Sequence, residues 1–84
     1  MAATKYEIAS WLDRLYEDES LSHMIVVCDT YDWEDYPVYV SKTEALVDAM
    51  ESYDGSNMQR VMEVYSRNHD REAQLAESRA FHYD

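Results

Sequence analysis

The stretch His23–Asp29 reads HMIVVCD, and it contains the longest wholly apolar run of the chain, Met24–Cys28. The run is rich in β-branched residues and too short for a helix, so it predicts a buried β-strand. It is also far too short to span a bilayer. Cys28 lies inside this run and is the single cysteine, so no intrachain disulfide forms and the thiol is expected to be buried and structural.

A second, shorter strand is predicted at Val38–Val40, directly after Pro37. Because proline has no N–H to donate, Pro37 suits the start of a strand at the edge of a sheet. The segment Thr30–Tyr36 then joins the two strands as a wide hairpin loop. A two-stranded hairpin is marginal alone, so it must pack against helices or pair with a second copy of the chain.

The first helix is predicted upstream of this hairpin. Thr4 and Glu7 have the spacing of a capping box, with Thr4 as the N-cap residue, and the helix runs to about Glu17. Its end carries three consecutive acids, which are unfavourable at the negative end of the helix dipole. Apolar residues at helical spacing form its inward stripe: Ile8, Leu12, Leu15 and Tyr16, with Trp11 beside them.

A second helix is predicted after the hairpin, with a capping box at Ser41–Glu44 and an end at Asp54-Gly55. Its apolar face comprises Leu46, Ala49, Met50 and Tyr53.

A third capping box, Ser56–Gln59, predicts one long helix from about Asn57 to Ala80, kinked or broken near Asn68. If the helix breaks there, Asp70 caps the second piece. Its arginines interleave with glutamates, which is typical of ion pairs on an exposed helix face. The chain is therefore expected to form a single small α+β domain over residues 1–84, in the order α-β-β-α-α. In it, the β-hairpin packs against three helices, or four if the last one breaks.

Net charge gives the first indication of function. The 84 residues include 18 acids and 7 bases, for a net charge of −11. Such a field repels nucleic acid and anionic membrane and attracts basic surfaces, of which nucleic-acid-binding proteins carry the largest. The alternative is that the charge only maintains solubility. Residues 1–41 carry nine acids against two bases and residues 42–84 carry nine against five, which favours a patch near the first helix end and the hairpin loop.

The hairpin loop alternates aromatic residues with acids. Tyrosine and tryptophan are the residues that most often anchor interfaces, and carboxylates pair with arginines that also stack on the rings. Tyr36 and Tyr39 are expected to pack back onto helices, whereas Trp33 at the loop tip is the hardest to bury internally. The solvated-turn interpretation stays open for the acids. The residues predicted to bind a partner are Glu17, Asp18, Glu19, Asp29, Tyr31, Asp32, Trp33, Glu34 and Asp35.

Enzymatic and metal-binding patterns are missing from the sequence. The loop acids lack the spacing and the glycine of a calcium loop, and the histidines lack helical metal-ligand spacing. His69 and His82 are expected to face solvent, and His23 to mark the start of a strand. The single glycine excludes a glycine-rich phosphate loop. We therefore expect no cofactor, no metal and no catalysis; a small enzyme using Cys28 or Asp32 is the third hypothesis.

In its length, its acidity and its stretches Glu17–Glu19 and Asp29–Tyr36, the chain resembles small acidic inhibitors encoded by bacteriophages, the anti-CRISPR and anti-restriction proteins. The resemblance implies a compact α/β fold and a non-enzymatic protein. It also implies that the carboxylates stand where phosphates would sit on a defence nuclease, in the host cytoplasm. The start MAATKYE lacks a secretory signal pattern, which agrees with that location. The second hypothesis is a homo-oligomeric structural or accessory module whose acidic surface is incidental.

Overall fold

The computed structural model describes residues 4–54 and 58–83, and these form the predicted α+β fold. A three-stranded antiparallel sheet has the strand order β2-β1-β3, so β1 lies in the centre. Its two faces carry α1 and α3 on one side and α2 on the other. The elements are α1 (Lys5–Glu17), β1 (Leu21–Asp29), β2 (Glu34–Ser41), α2 (Leu46–Tyr53), β3 (Gln59–Ser66) and α3 (Arg71–Ala76).

The central strand β1 explains the long apolar run, because both of its faces are covered. Met24 and Val26 pack with α1, whereas Ile25 and Val27 pack with the cluster that includes Ala49 of α2. A strand buried on both faces is apolar at consecutive positions and does not alternate. The prediction of a buried strand at residues 23–29 is confirmed.

The first helix begins at its predicted capping box. The Glu7 amide donates to the Thr4 hydroxyl at 3.2 Å, and the Thr4 amide donates to the Glu7 carboxylate at 3.4 Å. At the other end, the guanidinium of Arg67 donates to the backbone oxygens of Leu15, Tyr16 and Asp18. These carbonyls have no partner inside the helix, so Arg67 caps its C-terminal end. Its positive charge also offsets the unfavourable interaction of the neighbouring acids with the helix dipole.

The hairpin is tighter than predicted. The prediction of a wide loop over Thr30–Tyr36 is wrong. The loop spans residues 30–33, because β2 already begins at Glu34. Pro37 lies inside β2 rather than at its start, opposite Val26. The predicted edge position of this strand is confirmed by the strand order, and an edge strand accommodates proline because one row of its N–H groups needs no ladder partner.

Residues 59–66 form β3, so the long helix predicted over about Asn57–Ala80 is wrong. The pairing of β3 with β1 shifts register between Val26 and Val27, which inserts one extra residue into β3. A bulge of this kind places residues three apart on the same face, and that spacing imitates a helical stripe. The pairs with this spacing are Val61 with Val64 on the α2 face and Met62 with Tyr65 on the α1 face.

The end of the predicted long helix does form a short helix, α3, and Asp70 caps it as predicted. Its carboxylate accepts from the Ala73 amide at 2.9 Å. Within residues 4–54 and 58–83, the predicted pairing of arginines with glutamates is found for Arg71 with Glu72. Arg71 also reaches α1, where it pairs with Asp13 at 2.9 Å and donates to Ala9 O at 3.1 Å. Arg71 therefore attaches α3 to α1.

The capping box predicted at Ser41–Glu44 is also wrong. The helix α2 begins at Leu46, and its N-cap Ala45 makes no side-chain hydrogen bond. Ser41 still belongs to β2, and its hydroxyl bonds to that of Thr43 at 2.9 Å. Asp54 ends α2. The predicted roles of Gly55 and of Ser56–Asn57 lie outside the described residues.

The C-terminal segment adds a short parallel bridge to the outer edge of β3. Val64 donates to Ala80 O at 2.8 Å, and His82 donates back to Val64 O at 3.0 Å. This segment partly covers the edge of β3. The other edge of the sheet, that of β2, has no strand beside it among the described residues.

Candidate functional site: the hairpin tip

The hairpin tip consists of residues 29–34 together with Met58, which precedes β3. Asp29 and Glu34 form the last pair of the β1–β2 ladder. The Asp29 carboxylate accepts from the Tyr31 amide at 2.9 Å, an Asx turn that shapes the loop. Thr30 donates to Met58 O from its amide at 2.7 Å and from its hydroxyl at 2.8 Å. The loop is therefore tied to a third segment of the chain.

Two residues of the tip have left-handed backbone conformations. Trp33 has φ 57° and Met58 has φ 62°, and they are the only described residues other than glycine with positive φ. This conformation costs about 1–2 kcal/mol for a residue with a Cβ atom. The same two side chains are 62% and 59% exposed, so internal packing does not offset that cost. Strained residues of this kind concentrate at functional sites.

The tip exposes a third large side chain, that of Tyr31, at 73%. By contrast, Tyr36 and Tyr39 are half-buried, which confirms their predicted packing. The Tyr39 hydroxyl donates to Trp11 O at 2.9 Å, and the Arg14 guanidinium lies 5.1 Å from the centre of its ring. Burial raises the pKa of both half-buried phenols. The aromatic residues of this region thus divide into two that support the hairpin and two that face outward.

The four predicted loop acids also divide into two pairs. The side chains of Asp32 and Glu34 are exposed, and their carboxylates make no hydrogen bond or ion pair with the described residues. Asp29 holds the Asx turn. Asp35 lies opposite Cys28, and burial together with a hydrogen bond to the Asp35 carboxylate raises the pKa of the Cys28 thiol. A raised pKa disfavours the thiolate, and the thiol is buried as predicted.

Glu17, Asp18 and Glu19 do not belong to the tip. They precede β1 and the loop follows it, so a strand of nine residues separates the two acidic stretches, by roughly 26 Å. Asp18 also has an internal role. Its carboxylate accepts from the Ser20 hydroxyl at 2.6 Å and the Ser20 amide at 3.0 Å, and these bonds lower the pKa of Asp18. The two acidic stretches therefore do not form one continuous patch, and contact of Glu17, Asp18 and Glu19 with a partner stays a prediction.

The end of α2 lies beside the tip instead. The Asp54 carboxylate accepts from the Val61 amide at 3.2 Å, two residues beyond the pairing of Gln59 with Asp29. The sequence prediction missed both Asp54 and Met58. Their position depends on recognising β3 as a strand, because only then does the chain return to the hairpin after α2.

The histidines are not arranged as a metal site. The rings of His69 and His82 lie 4.4 Å apart and are half-buried, so the expectation that they face solvent is wrong. His82 Nε2 lies 2.8 Å from the Glu77 carboxylate. Within residues 4–54 and 58–83, no group of three or more histidine, cysteine, aspartate or glutamate side chains is placed to hold a metal ion.

Comparison of the chain with protein-family models, with curated proteins and with solved structures finds no match. None of the helices in the described part of the chain combines the length and the apolar character needed to cross a bilayer. The chemistry of the tip itself is therefore the basis for assigning a function: three exposed apolar anchors and two exposed carboxylates on a strained, internally tied loop.

Proposed function

We propose that the protein is a non-enzymatic inhibitor or regulator. It docks its hairpin tip onto the basic nucleic-acid-binding surface of a partner protein, such as a phage-defence nuclease complex in the bacterial cytoplasm, and blocks access of the nucleic acid. The observation that carries this proposal is the exposure of Trp33 and Met58 at strained backbone positions beside Asp32 and Glu34. Exposed aromatic and methionine anchors bordered by carboxylates suit a surface of arginines and lysines.

The tip residues have separate roles in this mechanism. Trp33, Tyr31 and Met58 fill apolar recesses and supply most of the binding free energy. Asp32 and Glu34 pair with basic side chains that otherwise hold phosphates, so protein and nucleic acid compete for the same groups. The net charge of −11 accelerates the encounter and makes the association rate fall as salt concentration rises.

The experiment begins with capture of a partner from a bacterial lysate on the immobilised protein, followed by identification by mass. The proposal requires that the captured protein bind nucleic acid and that a duplex oligonucleotide displace it. It also requires that the tip variant Trp33→Ser with Asp32→Asn and Glu34→Gln lose capture while its circular dichroism spectrum stays unchanged.

A matched control tests whether any loss of acidity has the same effect. Glu17→Gln with Glu19→Gln also removes two negative charges, but at the far end of the sheet, where both side chains are exposed. This control is expected to retain capture. A partner that binds the tip variant normally, or that binds this protein and nucleic acid together, contradicts the proposal.

The open edge of β2 favours a second candidate, a homo-oligomeric module that pairs two sheets edge to edge. Pro37 lies in the middle of that edge and removes one donor from any such ladder. Sedimentation at micromolar concentration separates the candidates. A tight dimer whose interface includes β2 supports the module, and a monomer supports the inhibitor.

A further inference from the structure

An open apolar groove lies on the α2 face of the sheet, between α2 and the C-terminal segment. Leu46, Val47 and Met50 line it from α2, and Tyr83 lines it from the other side. Its volume is about 410 Å³. Val47 is 60% exposed and Tyr83 is 54% exposed, so more than half of each of these two residues is open to solvent. We refer to these four residues as the α2 groove.

The far wall of the groove is held in place by the sheet. The C-terminal segment is hydrogen-bonded to Val64 on both sides of Phe81, at 2.8 and 3.0 Å. Phe81 and Tyr83 stack with their ring centres 6.4 Å apart. Tyr83 is therefore positioned by a strand-like segment and a neighbouring ring, and the groove is formed before any partner binds.

The charges of the helix that lines the groove are acidic. The helix α2 contains two acids, Asp48 and Glu51, and no lysine or arginine. Glu51 follows Val47 by four residues in α2, so it borders the exposed apolar side of the helix by one turn. A second copy of this chain would bring another net charge of −11 against this rim, which disfavours self-association there.

We propose that the α2 groove binds a basic amphipathic helix of a partner protein. The apolar residues of that helix pack on Val47 and Tyr83, and its lysines or arginines face Glu51. Apolar anchors with a charged border define the helix-in-groove mode of recognition. This surface is separate from the hairpin tip, because the tip is a loop at one end of the sheet and the groove runs along α2 on its face. The inference does not rest on the proposed function.

The test uses a synthetic helix of about 14 residues made of leucine and lysine at amphipathic spacing. It is titrated into the isotopically labelled full chain and followed in amide correlation spectra. Saturable shifts are expected at residues 46–51 and 81–83. Val47→Ser is expected to weaken binding about tenfold and Glu51→Lys about fivefold, because each removes one part of the complementarity.

Two matched controls identify the surface. Tyr6→Ser changes another exposed ring on α1, across the sheet, and Trp33→Ser changes the hairpin tip; both are expected to bind the helix as the unaltered chain does. The inference is overturned if the shifts fall on the tip, if a leucine–glutamate helix binds equally well, or if no saturable binding is seen. Shifts at Val47 that depend on protein concentration alone also overturn it, because a second copy then fills the groove.

Discussion

Thr30 donates its amide and its hydroxyl to one carbonyl oxygen, that of Met58, at 2.7 and 2.8 Å. These two hydrogen bonds link the hairpin loop to the residue that precedes β3. They place two exposed side chains with left-handed backbones, those of Trp33 and Met58, at one end of the sheet. These hydrogen bonds set the shape of the tip, which would reduce the entropy lost on binding of the proposed partner.

The strain at Trp33 is directly measurable. Glycine adopts φ 57° without steric cost, so Trp33→Gly is expected to increase the free energy of unfolding by about 1 kcal/mol relative to Trp33→Ala. Both variants remove the indole, and only the backbone preference differs between them. Urea unfolding at neutral pH measures the difference.

The same pair of variants separates stability from binding. Both are expected to lose partner binding, although the glycine variant is the more stable protein. Equal unfolding free energies for Trp33→Gly and Trp33→Ala contradict the presence of strain. Retained binding in the glycine variant contradicts the role of the indole as an anchor.

Arg67 stabilises the C-terminal end of α1. Its guanidinium donates to the carbonyls of Leu15 at 3.3 Å and Tyr16 at 3.4 Å, and also to that of Asp18. Arg67→Ala is expected to lower the free energy of unfolding by about 2 kcal/mol, because three carbonyls lose a charged donor. The exposed Arg79 is the control, and Arg79→Ala is expected to change stability by less than about 0.5 kcal/mol. Equal effects of the two substitutions rule out the cap.

The elements with local signals are predictable from sequence. A capping box at Thr4 and Glu7 fixes the start of α1, a continuous apolar run identifies β1, and the Asp70 cap fixes the start of α3. Each of these depends on neighbours within a few residues along the chain. The third strand is different, because its bulge produces a helical spacing and its ladder partners in β1 lie 30 or more residues away in sequence.

The candidate site is predictable only in part for the same reason. The exposure of Trp33 follows from its place in a short acidic loop, so the sequence identifies it. Met58 reaches the tip only through the pairing of β3 with β1. The length of β1 places Glu17 and Glu19 at the opposite end of the strand from the hairpin tip. Counting charges along the sequence does not reveal this distance.

Tyr65 makes the free energy of unfolding depend on pH in the alkaline range. Burial raises its pKa strongly, and the Glu63 carboxylate, which accepts a hydrogen bond from the Tyr65 hydroxyl at 2.8 Å, raises the pKa further. In the unfolded chain a tyrosine pKa is about 10. The folded state therefore binds more protons above pH 10, so the stability present below that pH falls as pH rises, by up to about 1.4 kcal/mol per pH unit for this group.

Tyr65→Phe is expected to flatten this decline in unfolding experiments between neutral pH and about pH 11. Burial also raises the pKa of Tyr16, Tyr36 and Tyr39, so the decline is reduced and not abolished. Tyr6→Phe, at an exposed position, is the control and is expected to keep the original slope. An unaltered slope in Tyr65→Phe contradicts the assignment.

The buried side-chain amide of Gln74 makes hydrogen bonds to two backbone groups and one side-chain hydroxyl. It donates to Ser66 O at 2.9 Å and to the Tyr16 hydroxyl at 2.8 Å, and it accepts from the Ser66 amide at 2.8 Å. Gln74→Met keeps the volume but removes these three hydrogen bonds from a buried site, at an expected cost of roughly 3 kcal/mol. Gln59→Met loses one side-chain bond, to Tyr36, and is expected to cost about 1 kcal/mol. Similar costs for the two glutamines contradict a special role for Gln74.

The division of the loop acids into two pairs separates folding from binding. Asp29→Ala with Asp35→Ala removes the carboxylates that hold the Asx turn and contact Cys28, so about 1–2 kcal/mol of stability is expected to be lost. Asp32→Asn with Glu34→Gln removes the same number of charges from exposed carboxylates and is expected to leave stability within about 0.5 kcal/mol. Affinity for the basic partner is expected to fall in this second variant, and its dependence on salt to flatten, because two ion pairs are lost. Titration calorimetry at several salt concentrations measures both quantities, and an unchanged salt dependence shows that Asp32 and Glu34 do not meet basic groups of the partner.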